Sequence, residues 1–331
     1  MMTTETQGTL PALEEMNAAA ELVHAVMPAT PQYRWPLLER RCGMEVWAKH
    51  ENHSPVGAFK VRGGLVYIDH LRGAGAAVPG VVSATRGNHG QSIAFAARRF
   101  GIPAAIVVPE GNAREKNAAM RALGAELIVR GRDFQDASEA AAEIAAQRGW
   151  HQIPSFHPLL VRGVATYALE FFLGAPELDA VYVPVGMGSG ICGMIAARNA
   201  LGLRTAVIGV VAEGAPALAL SLEAGTVVSH EVTTRAADGM ACRTPSPDAL
   251  AIIARGAERV IRVTDLEVES AIAAIFADTH NAVEGAGAAA LAGLLQERDR
   301  WVDRRVGIVL SGANIDSSEL GRILSAHGAA A

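Results

Sequence analysis

The chain has 331 residues, 50% of them hydrophobic and 19% charged, which is enough apolar material for a large core divided between two lobes and too much for extended disorder. Its 29 Lys and Arg stand against 34 Asp and Glu, a formal net charge of −5. There is no basic footprint for a phosphate backbone and no cluster of aromatics with arginines for base stacking, so nucleic acid is excluded as a partner.

The opening residues, MMTTETQGTLPALEEM, carry acids and no apolar core of signal-peptide length, and no uninterrupted apolar run reaches the ~18 residues of a membrane span. Cys42, Cys192 and Cys242 are odd in number, far apart and without CxxC spacing, which suggests buried thiols rather than a disulfide framework or zinc site. These features predict a soluble, cytoplasmic protein that does not engage a membrane. The stretch HSPVGAFKVRGG (residues 53–64) sets Lys60 among small and apolar residues, with Gly57 before it and Gly63 and Gly64 after it. Glycines let a backbone approach a ligand, and apolar walls lower the pKa of an amine until it becomes a nucleophile for a carbonyl group. A lysine at a plain loop-to-helix junction fits the same stretch.

From there, short β-branched runs alternate with alanine-rich helical segments: GVVSA then GQSIAFAARRFG, AAIVVP then REKNAAMRALGA, ELIVRG then DASEAAAEIAAQRG. That alternation predicts a parallel sheet wrapped by helices, with Gly101, Gly124 and Gly149 ending three of the helices. The pattern pauses at WHQIPSFHP and resumes at AVYVPV, which places a lobe boundary near residues 150–160.

Ligands of open parallel sheets sit beyond the carboxyl ends of the strands, so the strand-to-helix turns are the places to look for a site. TRGNHGQ (residues 85–91) follows GVVSA and puts Asn88 and His89 at a helix N-terminus, where free N–H groups favour a carboxylate; Thr85 or Asn88 would equally serve as a helix cap. GMGSGICG (residues 186–193) follows AVYVPV and offers the backbone N–H groups of a glycine-rich turn to an anion. It contains GxGxxG, with Glu213 20 residues beyond Gly193, so a dinucleotide and a single phosphate both fit. SGAN, after VGIVL, presents Ser311 at a strand end, where a helix N-cap is the plainer use. Taken jointly, a phosphate cradle, a water-shielded amine, an amide or imidazole loop and a strand-end hydroxyl suit pyridoxal 5'-phosphate. A nicotinamide dinucleotide, and with it a dehydrogenase, would explain the glycine loop alone.

In sequence order the chain carries GAFKVRGG, RGNHGQ, GMGSG, ADGMA, VEGAGAAALA and SGAN over roughly residues 25–325. In these motifs it resembles the serine/threonine dehydratases of pyridoxal-phosphate fold type II, the tryptophan synthase β-like enzymes that include serine racemase, with the dehydratases of hydroxyectoine use as a subgroup. The resemblance implies a two-lobed α/β fold, each lobe an open, mostly parallel sheet flanked by helices. The large lobe is expected to be built from residues 1–74 and 156–331 and the small lobe from residues 75–155, with the cofactor between them. It implies that Lys60 is the Schiff-base lysine and that Phe59 stacks on the pyridine ring. Asn88 would bond the ring's 3'-oxygen, the turn of Gly186, Met187, Gly188, Ser189 and Gly190 would hold the phosphate, and Ser311 would face the ring nitrogen. Thr85, Asn88 and His89 would receive the substrate carboxylate. The implied reaction eliminates water from a β-hydroxy-α-amino acid such as L-threonine or L-serine, giving a 2-oxo acid and ammonia; β-replacement is the rival within the class, and a catalytically idle cofactor-binding module is the rival outside it. A homodimer or homotetramer is expected.

Three departures qualify the carry-over. Arg86 stands where the family has a small residue and the racemase its second proton-transfer serine, which disfavours racemisation and raises 3-hydroxyaspartate or a hydroxyectoine-derived amino acid as substrate, since a guanidinium fork matches a carboxylate. Met187 and Ser189 replace glycines of the phosphate loop. Glu213 is the candidate ligand for a mono- or divalent cation, yet Ala217 and Ala219 follow where the racemase has an acidic companion. The chain also ends soon after SGAN, so a regulatory domain with feedback control is not expected.

Overall fold

The computed structural model describes residues 9–74 and 78–327. Residues 1–8, which form part of the expected leaderless N-terminus, and residue 75, where the small lobe was expected to begin, lie outside the described residues. Among those described, ten strands form two sheets. The larger sheet runs in the order β1 (Gln32–Arg34), β2 (Glu45–His50), β10 (Arg305–Leu310), β7 (Ala180–Pro184), β8 (Ala206–Ala212), β9 (Arg259–Val263); β1 is antiparallel to β2 and the remaining pairs are parallel. The smaller sheet runs β5 (Glu126–Val129), β4 (Ala104–Val108), β3 (Val81–Ala84), β6 (His151–Gln152), all parallel. This is the expected α/β architecture of two open, mostly parallel sheets.

The strands read as continuous apolar runs because helices cover both faces of each sheet, and the two-residue side-chain period then sorts each run into two cores. Along β7 and β8, Tyr182, Ile208 and Val210 pack with the Asp265–Thr279 and Gly285–Gln296 helices. Val181, Val183, Val207 and Val211 pack with the Pro158–Gly174 and Ser189–Ala200 helices on the other side. In the small sheet Val81, Ile106 and Val108 face the Asn88–Arg99 helix, while Val82, Ala105 and Val107 face Phe134–Arg148.

The Lys60–Gly73 helix joins the two sheets. Its Val61, Leu65 and Ile68 enter the same core as Val81 and Ile106, although the helix belongs by sequence to the segment expected in the large lobe. Gly63 and Gly64 have a different use from the one the sequence suggests. A Cβ on Gly63 would lie 2.9 Å from the Leu160 carbonyl oxygen, and one on Gly64 would lie 2.2 Å from Ser92 Oγ. They bring neighbouring helices close to this one rather than opening space for a ligand. Helix ends are as expected: Gly101, Gly124 and Gly149 all have positive φ, at 66°, 88° and 62°, the left-handed conformation that glycine adopts without steric cost. Cys42 and Cys192 are buried free thiols, whereas Cys242 is half-buried and lines a cavity, contrary to the expectation of three buried cysteines. No helix among the described residues is long and apolar enough to cross a membrane.

Candidate active site

A cleft enclosing about 880 Å³ of atom-free space, its open mouth included, lies at the carboxyl ends of the central strands. The Lys60 turn, the loop after β3, the loop after β7 and the turn after β10 all reach it. Backbone pairing holds the Lys60 segment against the last of these: Phe59 N–H donates to the Ser311 carbonyl (3.1 Å), Ala313 N–H donates to the Gly57 carbonyl (2.8 Å), and Ala58 bridges Gly312. Phe59, Lys60 and Ser311 therefore share one wall. Ser311 caps no helix, because the next one begins at Ser317.

Lys60 Nζ donates to Ser189 Oγ at 2.7 Å and lies 5.0 Å from the centre of the Phe59 ring. No carboxylate pairs with it among the described residues, so burial pushes its amine down to about 8 from 10.5. The loop it meets is bent by Gly188, at φ 99°, into the Ser189–Ala200 helix. Gly186 lies so near a neighbouring turn that a Cβ there would be 2.7 Å from the Gly239 carbonyl oxygen. Inside the bend the N–H groups of residues 187–190 have no acceptor among the described residues, as expected where first-turn donors await an anion. These residues suit a phosphate-bearing aldehyde cofactor: an amine with lowered pKa stands beside a cradle of unpaired amides.

The loop after β3 is ordered from within. Thr85 Oγ1 accepts from the N–H groups of Gly87 (2.8 Å) and Gly90 (3.1 Å), so Thr85 acts as the local cap and keeps its own proton to donate. The N–H groups of Asn88 and His89, opening the Asn88–Arg99 helix, remain unpaired among the described residues. Asn88 Nδ2 donates to Glu284 and Asn88 Oδ1 accepts from Asn314 Nδ2 (2.8 Å), which leaves one amide proton free. The His89 imidazole is buried, and burial, with the positive Lys60 nearby, lowers it to about 3. It bonds the Pro154 backbone carbonyl through one nitrogen, and its Nε2 has no partner among the described residues. A neutral ring bonded in this way presents a lone pair at Nε2 and cannot donate to a carboxylate. At this loop His89 could meet a carboxylate through its backbone N–H and not through its ring.

Every residue expected at the site except Glu213 lines this cleft. Glu213 lies apart, exposed, in a shallow hollow with Asp265, so it is not placed to bind a ribose at the glycine loop, and the dinucleotide reading loses its acid. Among the described residues no group of three or more His, Cys, Asp or Glu side chains could hold a metal. The sequence reading assigned no role to Glu284, Asp238 or Lys116, yet they form a buried knot at the cleft: Lys116 Nζ meets Asp238 Oδ2 at 2.7 Å and Glu284 Oε2 at 2.9 Å. Burial raises the Glu284 carboxyl despite Lys116. Two of the three stood inside the motifs ADGMA and VEGAGAAALA, as single acids in apolar runs.

Over 277 residues the chain is 35% identical to an L-threonine ammonia-lyase of Geobacter sulfurreducens, covering 83% of this chain and 69% of that protein. It is 29% identical over 317 residues to an L-threo-3-hydroxyaspartate ammonia-lyase of Saccharomyces cerevisiae, covering 96% and 97% of the two chains. The crystal structure of the T.th. threonine deaminase superposes with a TM-score of 0.86 at 30% identity, over 92% of this chain and 99% of that one. The family model described as pyridoxal-phosphate dependent enzyme matches residues 26–312, a span holding all the cleft walls just described. By fold, by cleft and by descent, the chain belongs to the pyridoxal-phosphate dependent enzymes.

Proposed function

We propose that this protein is a dehydratase that removes water from a β-hydroxy-α-amino acid, with serine and threonine as default substrates, and releases a 2-oxo acid and ammonia. The observation that carries the reading is Lys60: an amine of lowered pKa, without a carboxylate partner, between the unpaired amides of residues 187–190 and those of Asn88 and His89. The relatives divide between threonine and hydroxyaspartate as named substrates, so both remain within the reading.

When bound, pyridoxal 5'-phosphate supplies an electron sink for the charge left at the substrate's Cα. The chain's own residues do the rest. Residues 186–190 would bind the phosphate through backbone N–H groups. Phe59 would give the ring an apolar wall, Asn88 would offer its free amide proton to the 3'-oxygen, and Ser311 would serve the ring nitrogen. A hydroxyl at Ser311, where a carboxylate would hold a proton on the ring nitrogen, would favour elimination over transamination. Lys60 Nζ would hold the cofactor and would move the proton at substrate Cα. Thr85 Oγ1 and the N–H groups of Asn88 and His89 receive the α-carboxylate. The division into a small lobe of residues 75–155 and a large lobe from the rest is part of the reading, supported by β3 to β6 all falling between residues 81 and 152. A cytoplasmic homodimer or homotetramer completes it, supported by three free thiols and by the exposed apolar side chains of Tyr33, Leu37 and Leu173, which a second copy would cover.

The test is ammonia release from a panel of hydroxy amino acids by the wild type and by Lys60→Ala. The variant is expected to fold, to lose turnover and to carry no cofactor after borohydride reduction and denaturation. Cofactor still covalently attached to Lys60→Ala would transfer the role to another amine, and a wild type inactive on the whole panel would leave an idle binding module.

A further inference from the structure

Three cationic side chains line the cleft: Lys60, Arg86 and Lys116. Lys60 is committed to the cofactor, and Lys116 is neutralised by Asp238 and Glu284. Arg86 is the exception. No carboxylate pairs with it among the described residues, and its Nε–H, shielded from water, has no acceptor. A charged donor left unmet in a shielded position is costly unless something else that enters the cleft supplies the acceptor.

Two anions already have hosts. The cofactor phosphate has the unpaired amides of residues 187–190, and the α-carboxylate common to all amino acids has those of Asn88 and His89. Arg86 is therefore a spare host, set between Thr85 and Gly87 in the same loop that receives the α-carboxylate. The cleft wall contributed by Phe134, Ser155, Met240, Ala241 and Cys242 carries no charge, so a neutral side chain would leave the guanidinium unmet.

We propose that Arg86 receives a second carboxylate, on the substrate side chain, and that the preferred substrate is an acidic β-hydroxy-α-amino acid, of which 3-hydroxyaspartate is the smallest. The planar guanidinium matches a carboxylate through two parallel N–H donors, a geometry that an ammonium lacks. The proposal rests on the dehydratase reading and adds its substrate class. The chemistry balances without an oxidant: the Cα–H and Cβ–OH bonds break, water leaves, and the enamine takes its proton back at Cβ as the imine. Hydrolysis of the imine consumes one water and gives ammonia and oxaloacetate.

The experiment uses the holoenzyme with the four 3-hydroxyaspartate isomers, threonine and serine, and measures ammonia release by the wild type, Arg86→Ala and Arg86→Lys. One 3-hydroxyaspartate isomer is expected to exceed threonine in kcat/KM. Arg86→Ala is expected to lose about tenfold to a hundredfold more on that isomer than on threonine, the span of a lost charge-assisted pair, and Arg86→Lys to keep part of the preference. In parallel, calorimetry compares malate with lactate, which differ by one carboxylate and carry no amine; malate is expected to bind more tightly in the wild type and to lose that advantage in Arg86→Ala. Equal losses on acidic and neutral substrates would assign Arg86 to the α-carboxylate or the phosphate and overturn the proposal, as would no loss, or turnover of threonine but of no acidic isomer. If no amino acid releases ammonia, the dehydratase reading fails on its own, and the comparison of malate with lactate still decides what Arg86 binds.

Discussion

Lys60 owes its lowered pKa to what is missing around it: the bond to Ser189 Oγ brings no negative charge, so burial acts unopposed. At pH 7 about a tenth of such amines are neutral, against fewer than about one in a thousand for a lysine in water. Burial favours the neutral form, so the reactive share grows as pH rises and passes one half near pH 8. Acylation of Lys60 in cofactor-free protein, followed by mass spectrometry across pH, is expected to show a midpoint near 8; a midpoint near 10.5 would put the amine in water. At this scale much of the site was legible, because glycine, lysine, asparagine and serine at strand ends bear chemistry wherever the chain places them. Lys116 was not legible: inside REKNAAMRA it is indistinguishable from a solvated lysine until the fold brings Asp238 and Glu284 to it. Nor could the sequence show that the His89 imidazole would be held by Pro154 and carry a lone pair, not a proton, at Nε2.

Among the elements, the Lys60–Gly73 helix is fixed by a residue two positions beyond Lys60. Arg62 is fully buried and holds Glu51 at 2.8 Å and Glu170 at 2.5 Å, with Lys49 also on Glu170 at 2.6 Å. Burial alone would raise the Glu170 carboxyl, but bonds from Arg62 and Lys49 outweigh it and hold it at about 2. Arg62→Ala leaves two carboxylates buried without their main partner and is expected to cost about 3–5 kcal/mol in chemical denaturation at neutral pH. A carboxyl with depressed pKa stabilises the fold above its unfolded value near 4.5, and that contribution is lost as pH falls towards about 2. The gap between variant and wild type should therefore narrow over that window, and a gap independent of pH would place the cost in packing instead. The long alternating runs announced their strands. Strands β1 and β6 did not, since three residues and two residues are too few to display a period, and the pause at WHQIPSFHP in fact holds β6. The strand β9, RVIRV, is half-buried along most of its length and carries two arginines that blur its apolar run.

Across the whole molecule, the segment carrying the small sheet is tied to the rest by polar contacts around the cleft. Lys116 reaches Asp238 and Glu284, and Asp316 accepts from the N–H groups of Arg114 (3.1 Å) and Glu115 (3.0 Å) at the start of the Arg114–Ala122 helix. Arg243 meets Asp133 at 2.8 Å. Removing the buried member is expected to matter most: Lys116→Met should speed amide exchange in the Asp238–Met240 turn and the Arg114–Ala122 helix and cost about 1–3 kcal/mol of stability. Unchanged exchange would mean that packing alone joins the two halves. No periodicity in the chain reveals such ties, because their partners lie more than a hundred residues apart in sequence. The ordered motifs conveyed the two-lobed plan only through resemblance.

The loop at residues 186–190 has a consequence beyond the reaction. It offers amide dipoles and no cationic side chain, and a dipole's field fades too quickly to gather counterions from solution. Screening by added salt has little purchase on such a grip. With the cofactor phosphate held there as proposed, the holoenzyme is expected to keep its cofactor through concentrated sodium chloride and to release it to a small solute with the same shape and oxygens as phosphate.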